Sequence, residues 1–148
     1  MGNTTEFVDL KAERSLLRVL SSSSTTYFVD TRKESGGPRL MRARGTGSTA
    51  RGPHDDHWVT LTGVTSGPVI ERNGEELPDA EIVEDDNRPW VLRVGSRHMY
   101  DFHVPGGFMD TTDFWWMQRT CMAIERLDEM PPEGERTIEE KVPRDDMP

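Results

Sequence analysis

Residues Pro89 to Val104 read PWVLRVGSRHMYDFHV, and the reading of this stretch decides the fold. Trp90, Leu92, Val94, Ser96, His98, Tyr100, Phe102 and Val104 are mostly apolar, while Arg93, Gly95, Arg97, Asp101 and His103 stand between them. A two-residue period of this kind belongs to a β-strand with one buried face. The phase carries through Gly95-Ser96, which limits the geometry there. A two-residue hairpin loop would set Val94 opposite Arg97 and Trp90 opposite Asp101, dividing the apolar set. A three-residue loop, Gly95 to Arg97, sets Val94 opposite His98, Leu92 opposite Tyr100 and Trp90 opposite Phe102. One long strand bent at Gly95 also keeps the phase. Both predict the spine of a sheet.

Downstream, Pro105-Gly106-Gly107 turns the chain into Phe114 to Leu127, FWWMQRTCMAIERL. Phe114, Met117, Cys121 and Ile124 fall at helical spacing, with Thr111 or Thr112 as a cap and Pro131-Pro132 as a stop. Set among its neighbours, the same segment reads as two strands, Phe114 to Arg119 and Met122 to Leu127, that complete a meander. Upstream, Pro68 to Leu77, PVIERNGEEL, is a hairpin: Asn73-Gly74 supplies the two positive-φ residues of a type I′ turn, pairing Arg72 with Glu75 and Ile70 with Leu77. Glu71 then faces Glu76, so that face is solvated. Trp58 to Val64 reads as a strand, and Leu16 to Leu20 with Thr25 to Thr31 as a hairpin around the serine run. A helix from Phe7 to Leu20 is the rival reading. Met1 to Glu13 reads as a frayed arm or short helix.

The expectation is therefore an all-β domain over residues 15–127, with one short helix as the variant: an antiparallel meander or partly open β-barrel. A flexible N-terminal arm (1–14) precedes it, a basic glycine-rich loop (32–57) is inserted in it, and an acidic, proline-rich disordered tail (128–148) follows. The tail carries eight acids against three bases. The chain of 148 residues has 33% hydrophobic and 30% charged residues, which fits one compact domain with solvated extensions. Its formal charge of −9 disfavours general nucleic-acid binding. Cys121 is the only cysteine, so neither an intramolecular disulfide nor a Cys-based zinc site can form. With no apolar leader in Met1 to Arg14 and no run of ~20 apolar residues, the expected setting is cytoplasmic, or a virion, without membrane contact.

Ser22 to Tyr27, Arg42 to Gly45, Glu71 to Leu77, Val94-Gly95, and Trp116, Arg119-Thr120 and Ile124-Glu125 follow one another in an order that resembles small all-β proteins of actinobacteria and their phages. The resemblance spans roughly residues 15 to 127. It implies a compact β-barrel-like fold and strands rather than a helix over Phe114 to Leu127, and it implies no site residues.

Three groups are candidates for function, each with a plainer reading beside it. Trp115 and Trp116 face opposite sides of a strand, so one enters the core and the other is left for a protein partner or for a covering layer. Arg39, Arg42, Arg44 and Arg51 belong to a stretch, Arg32 to Arg51, with six cations and one acid; they suit phosphates or an acidic partner, or they answer the acidic segment Asp79 to Asp86 and the tail. His54, Asp56 and His57, with Asp55, mix imidazole and carboxylate in a way that suits zinc, manganese or iron, or they form a hydrophilic loop before Trp58. His98 and Cys121 read as core residues. No nucleophile is activated by its surroundings in sequence, and no cofactor motif is present. The function expected is a non-enzymatic protein-interaction module, with nucleic-acid contact through the arginines and metal-dependent hydrolysis at His54 to His57 as alternatives. Dimerisation through an open sheet edge also remains available.

Overall fold

A computed structural model describes residues 3–44, 54–104 and 114–137. Among these the chain is all-β, its only helical pieces being three short 3-10 turns. Most of the strands form one antiparallel sheet. Leu16–Ser21 (β3), Thr26–Asp30 (β4), Arg39–Ala43 (β5) and Val59–Ser66 (β6) run as a meander, followed by His98–His103 (β11) and Phe114–Met117 (β12). Cys121–Leu127 (β13) then returns to the far side of β3, and Thr4–Thr5 (β1) pairs with β13 beyond it. The sequence reading of Phe114 to Leu127 as strands holds, but the two do not pair with each other. They occupy opposite regions of the sheet, although only Gln118, Arg119 and Thr120 separate them.

That short link forces the sheet to curl. Met117 and Cys121 can stand no more than about 14 Å apart, so the β12 and β13 ends are drawn together. Side chains report the same curvature: Tyr27 on β4 stacks on Tyr100 of β11 with ring centroids 4.7 Å apart. Inside the curl lie Leu17, Val19, Val29, Leu40, Leu61, Val64, Phe102 and Ile124, all buried. The sheet stays open, because no ladder joins β12 to β13 among the described residues.

The decisive stretch forms neither a hairpin nor one bent strand. Val91–Arg93 (β10) leaves the main sheet and pairs with Phe7–Asp9 (β2), while β11 pairs with β6 and β12. The alternation survives only in β11, where His98, Tyr100 and Phe102 are buried and the residues between are half-buried. The cause is the corner at Gly95, whose φ is +93°. Its carbonyl accepts from the backbone N–H of Ile70 (2.8 Å), and its own N–H donates to the carbonyl of Cys121 (2.9 Å). A Cβ built on Gly95 would lie 2.2 Å from the Glu71 carbonyl oxygen. The backbones of three segments meet there, which leaves no room for a cross-strand partner.

Two further expectations change. The segment read as an arm or short helix contributes β1 and β2, and buries Val8 and Leu10 in the core. The β2–β10 ribbon packs against β6 and β13 as a second layer. Within residues 128–137, read as the start of a disordered tail, Met130 packs on the outer face of β4 and β5 and Arg136 donates to Met41 Sδ there (3.7 Å). That face carries Phe28, Met41 and Ala43, which Trp58, Leu127 and Met130 cover. Leaving such a face wet would forfeit roughly 1.5–3 kcal/mol per large side chain. The remainder of the tail, 138–148, lies outside the described residues.

The Asn73-Gly74 hairpin is as the sequence predicts: Asn73 has φ 56° and Gly74 φ 82°, with Arg72 opposite Glu75 and Glu71 opposite Glu76. Arg93, almost fully buried, ties the excursion between β6 and β10 to the sheet. It donates to Ser66 Oγ (2.8 Å), Asp86 Oδ2 (2.8 Å) and the carbonyls of Gly67 and Asp86 (both 2.6 Å). No helix among the described residues is long and apolar enough to cross a membrane.

The glycines of the two turns should respond differently to a methyl group. Gly74→Ala meets only the cost of its positive φ, because nothing lies within 4 Å of the added carbon; about 1–2 kcal/mol is expected. Gly95→Ala adds an impossible contact with backbone, and a loss of more than about 3 kcal/mol is expected in urea unfolding. Equal losses at the two sites would contradict the corner geometry.

Candidate functional site

Strand β12 ends the main sheet and pairs only with β11 among the described residues. Gln118 N–H donates to the His98 carbonyl at 2.8 Å. Continued along the observed register of Trp116 with Tyr100 and Phe114 with Phe102, this makes those the hydrogen-bonded pairs. The N–H and C=O groups of Trp115 and Met117 therefore point away from β11, along an edge that no other strand meets among the described residues. The side chains of the same two residues are exposed, 62% for Trp115 and 53% for Met117. An edge with unpaired peptide groups and large apolar side chains at alternate positions is a template for another strand.

Trp116 has a different role. Its ring lies 4.1 Å from that of Phe102, and the Arg42 guanidinium sits over it at 4.2 Å from the centroid. Arg42 Nε in turn donates to Asp55 Oδ1 at 2.6 Å, with the Asp55 side chain buried. Trp116 thus fills the curl from the inside while its neighbour faces out. The two tryptophans that the sequence presents as one pair divide into a packing residue and a surface residue.

The candidate arginines do not gather into one basic face. Arg39 lies on the outer side of β5, donating to Asp30 Oδ2 at 3.0 Å and stacking over Trp58 at 4.0 Å, whereas Arg42 reaches the inner side. Arg44 is half-buried at the end of β5, and Arg51 lies outside the described residues. The counter-charges of Arg39 and Arg42 are Asp30 and Asp55, not the acidic segment Asp79 to Asp86. Asp30 is fully buried and also receives Arg32 (3.0 and 3.1 Å) and Ser35 Oγ (2.6 Å). Burial alone would raise its pKa, but the hydrogen bonds from Arg32, Ser35 and Arg39 outweigh it and hold the carboxyl far below the usual range.

The His54 to His57 cluster is pulled apart by packing. The His54 ring lies 4.9 Å from that of Phe114, Asp55 points at Arg42, Asp56 takes a left-handed backbone (φ 66°), and His57 is exposed. Among the described residues no group of three or more His, Cys, Asp or Glu side chains is placed to hold a metal ion.

Behind the β12 edge is a buried polar network that sequence reasoning saw only in part. His98 points inward, as its phase requires, but its partner, Gln118, lies twenty residues on in the β12–β13 link. Arg93 N–H donates to His98 Nε2 at 2.9 Å, so the ring proton sits on Nδ1 and is directed at Gln118 Oε1, also at 2.9 Å. Tyr100 hydroxyl donates to the same oxygen at 2.7 Å, and Gln118 Nε2 donates to the Val19 carbonyl at 3.3 Å. Gln118 thereby bridges β11 and β3 across the gap in the sheet. The only cue in sequence was a glutamine amid aromatic residues. Nearby, burial pushes the Cys121 thiol up to about 12, which favours its protonated form.

This geometry defines a class rather than an identity: an open antiparallel β-structure with one aromatic edge and a polar lock behind it. Comparison of the chain with protein-family models, with curated proteins and with solved structures gives no match.

Burial lowers the His98 pKa from 6.5 to about 4, the Gln118 bond opposing this only in part. Between those values the unfolded chain takes up a proton that the folded one refuses, so stability falls as pH drops. The share fully present above about 6.5 is lost towards pH 4, at a cost of about 3 kcal/mol. Asp30 acts only below its ordinary 3.8, so the windows separate. Urea midpoints for the unaltered protein should fall between about pH 7 and 5, and His98→Gln should flatten that fall. A flat profile for the unaltered protein would refute the neutral, buried imidazole.

Proposed function

We propose that the protein is a non-enzymatic interaction module that accepts an extended segment of a partner protein as an added strand along β12. The observation that supports this is the coincidence, at Trp115 and Met117, of outward-directed peptide groups with exposed apolar side chains. Strand addition draws affinity from main-chain hydrogen bonds and specificity from alternate side chains, and β12 offers both at the same two residues. The partner segment would carry an apolar residue to lie beside Trp115, a type enriched at interface centres. The pattern-level resemblance to actinobacterial and phage proteins suggests a host or virion protein as that partner. The internal neutralisation of Arg39 and Arg42 weighs against the nucleic-acid alternative.

Two variants distinguish edge recognition from general stickiness. Trp115→Lys removes the apolar contact. Met117→Pro removes one outward-facing N–H while sparing the bonds to β11, since proline is tolerated on an edge whose N–H faces solvent. Both should keep the melting temperature within a few degrees and each should weaken partner capture at least tenfold, or about 1.4 kcal/mol. In the complex, the Trp115 and Met117 amides should gain protection from hydrogen exchange. Capture that survives Met117→Pro, or amides that stay unprotected, would remove strand addition as the mode. A second copy as the occupant would appear as a concentration-dependent dimer lost in both variants.

A further inference from the structure

Away from β12, Leu10 and Lys11 at the end of β2 and the turn between β4 and β5 meet around a cavity of about 530 Å³. Lys11 and Arg14 reach it from one segment, Arg32 and Lys33 from the other, and no acidic residue lines it among the described residues. Arg32 is engaged by Asp30 (3.0 Å). Lys11, Arg14 and Lys33 enter no ion pair among the described residues, and the Arg14 guanidinium is fixed by bonds to the Glu13 and Lys11 carbonyls at 2.8 and 3.3 Å. The apolar lining comes from Leu10, Pro38 and Trp90.

Trp90 is the second, independent observation. Its φ is +59°, a left-handed conformation unusual for a bulky residue. It is pinned there by two backbone bonds, Trp90 N–H to the Val64 carbonyl (2.7 Å) and Leu10 N–H to the Trp90 carbonyl (2.9 Å). Strain of this kind persists where the surroundings over-determine it, and it concentrates at ligand sites. Arg32 serves the fold through Asp30, but Lys11, Arg14 and Lys33 set like charges around the cavity that repel one another with no counter-charge among the described residues, in a chain whose formal charge is −9. An anion would resolve that repulsion.

We propose that this cavity binds a small phosphate ester carrying a flat ring, of the mononucleotide class. The phosphate, with a charge of about −1.5 to −2, is taken by Arg14, Lys11 and Lys33. The ring lies against Trp90, between Leu10 and Pro38. The volume falls among small-molecule sites. A polymer is disfavoured, because the acidic remainder of the chain would repel it. The proposal is independent of the β12 edge.

The test is titration of the full chain with adenosine 5′-monophosphate, followed by calorimetry and tryptophan fluorescence, with adenosine and inorganic phosphate as the two halves. The monophosphate should bind with a Kd below about 1 mM, at least tenfold more tightly than either half. The double variant Arg14→Ala with Lys33→Ala changes two exposed side chains, so it should fold. It should weaken binding at least tenfold while leaving the ligand-free melting temperature equal or higher. Trp90→Phe should keep the phosphate contribution and lose part of the ring contribution. Phosphate binding as tightly as the monophosphate, binding unchanged in the double variant, or no binding up to about 10 mM would overturn the proposal.

Discussion

Between Arg93 and His98 the backbone turns a corner inside the protein, where its peptide groups must find partners away from water. Val94 N–H goes to the Glu6 carbonyl, Gly95 to Cys121 and to the 70–71 hairpin, and the Ser96 carbonyl accepts from Cys121. The Arg97 carbonyl accepts from Gly67, the His98 carbonyl from Gln118, and Arg93 N–H is capped by the His98 ring. Segments from β1–β2, β6, the 68–77 hairpin, the β12–β13 link and β13 are thus tied to six residues. Only a residue without a Cβ can stand at the centre, which makes Gly95 the constraint on which the other elements depend.

From that corner follows the openness of the sheet. With β10 sent to β2 and Cys121 bonded to Gly95 and Ser96, β13 starts at the corner and runs to β3 rather than back along β12. Gln118 closes the resulting gap with side-chain bonds to His98, Tyr100 and Val19 instead of a ladder. Among the described residues, β12 keeps one side without a partner strand. Most edges of this kind are blunted by charge, proline or covering segments. Here Trp115 and Met117 stand on the edge instead, which is why it reads as a site.

Charge is divided by the same architecture. Arg39, Arg42 and Arg93 are drawn into ion pairs with Asp30, Asp55 and Asp86 and hold the sheet's excursions in place. Lys11, Arg14 and Lys33, which enter no ion pair among the described residues, come from segments to which the sequence assigns no common role. They meet only because β2 and the β4–β5 turn end at the same place.

The sequence by itself determined the all-β class, the Asn73-Gly74 hairpin, the β3–β4 hairpin and the inward phase of His98, Tyr100 and Phe102. Each depends on periodicity or turn chemistry within a few residues. It could not determine that Val91 would pair with Asp9, that Val8 and Leu10 would enter the core, or that Met130 would cover Phe28. Strands of two or three residues are too short to carry a recognisable alternation. Nor could it separate Trp115 from Trp116 in function, or match His98 with Gln118. Those assignments rest on which strand lies beside which, and that was settled at the Gly95 corner, where backbone close approach overrode both the hairpin and the single bent strand that the local alternation allowed.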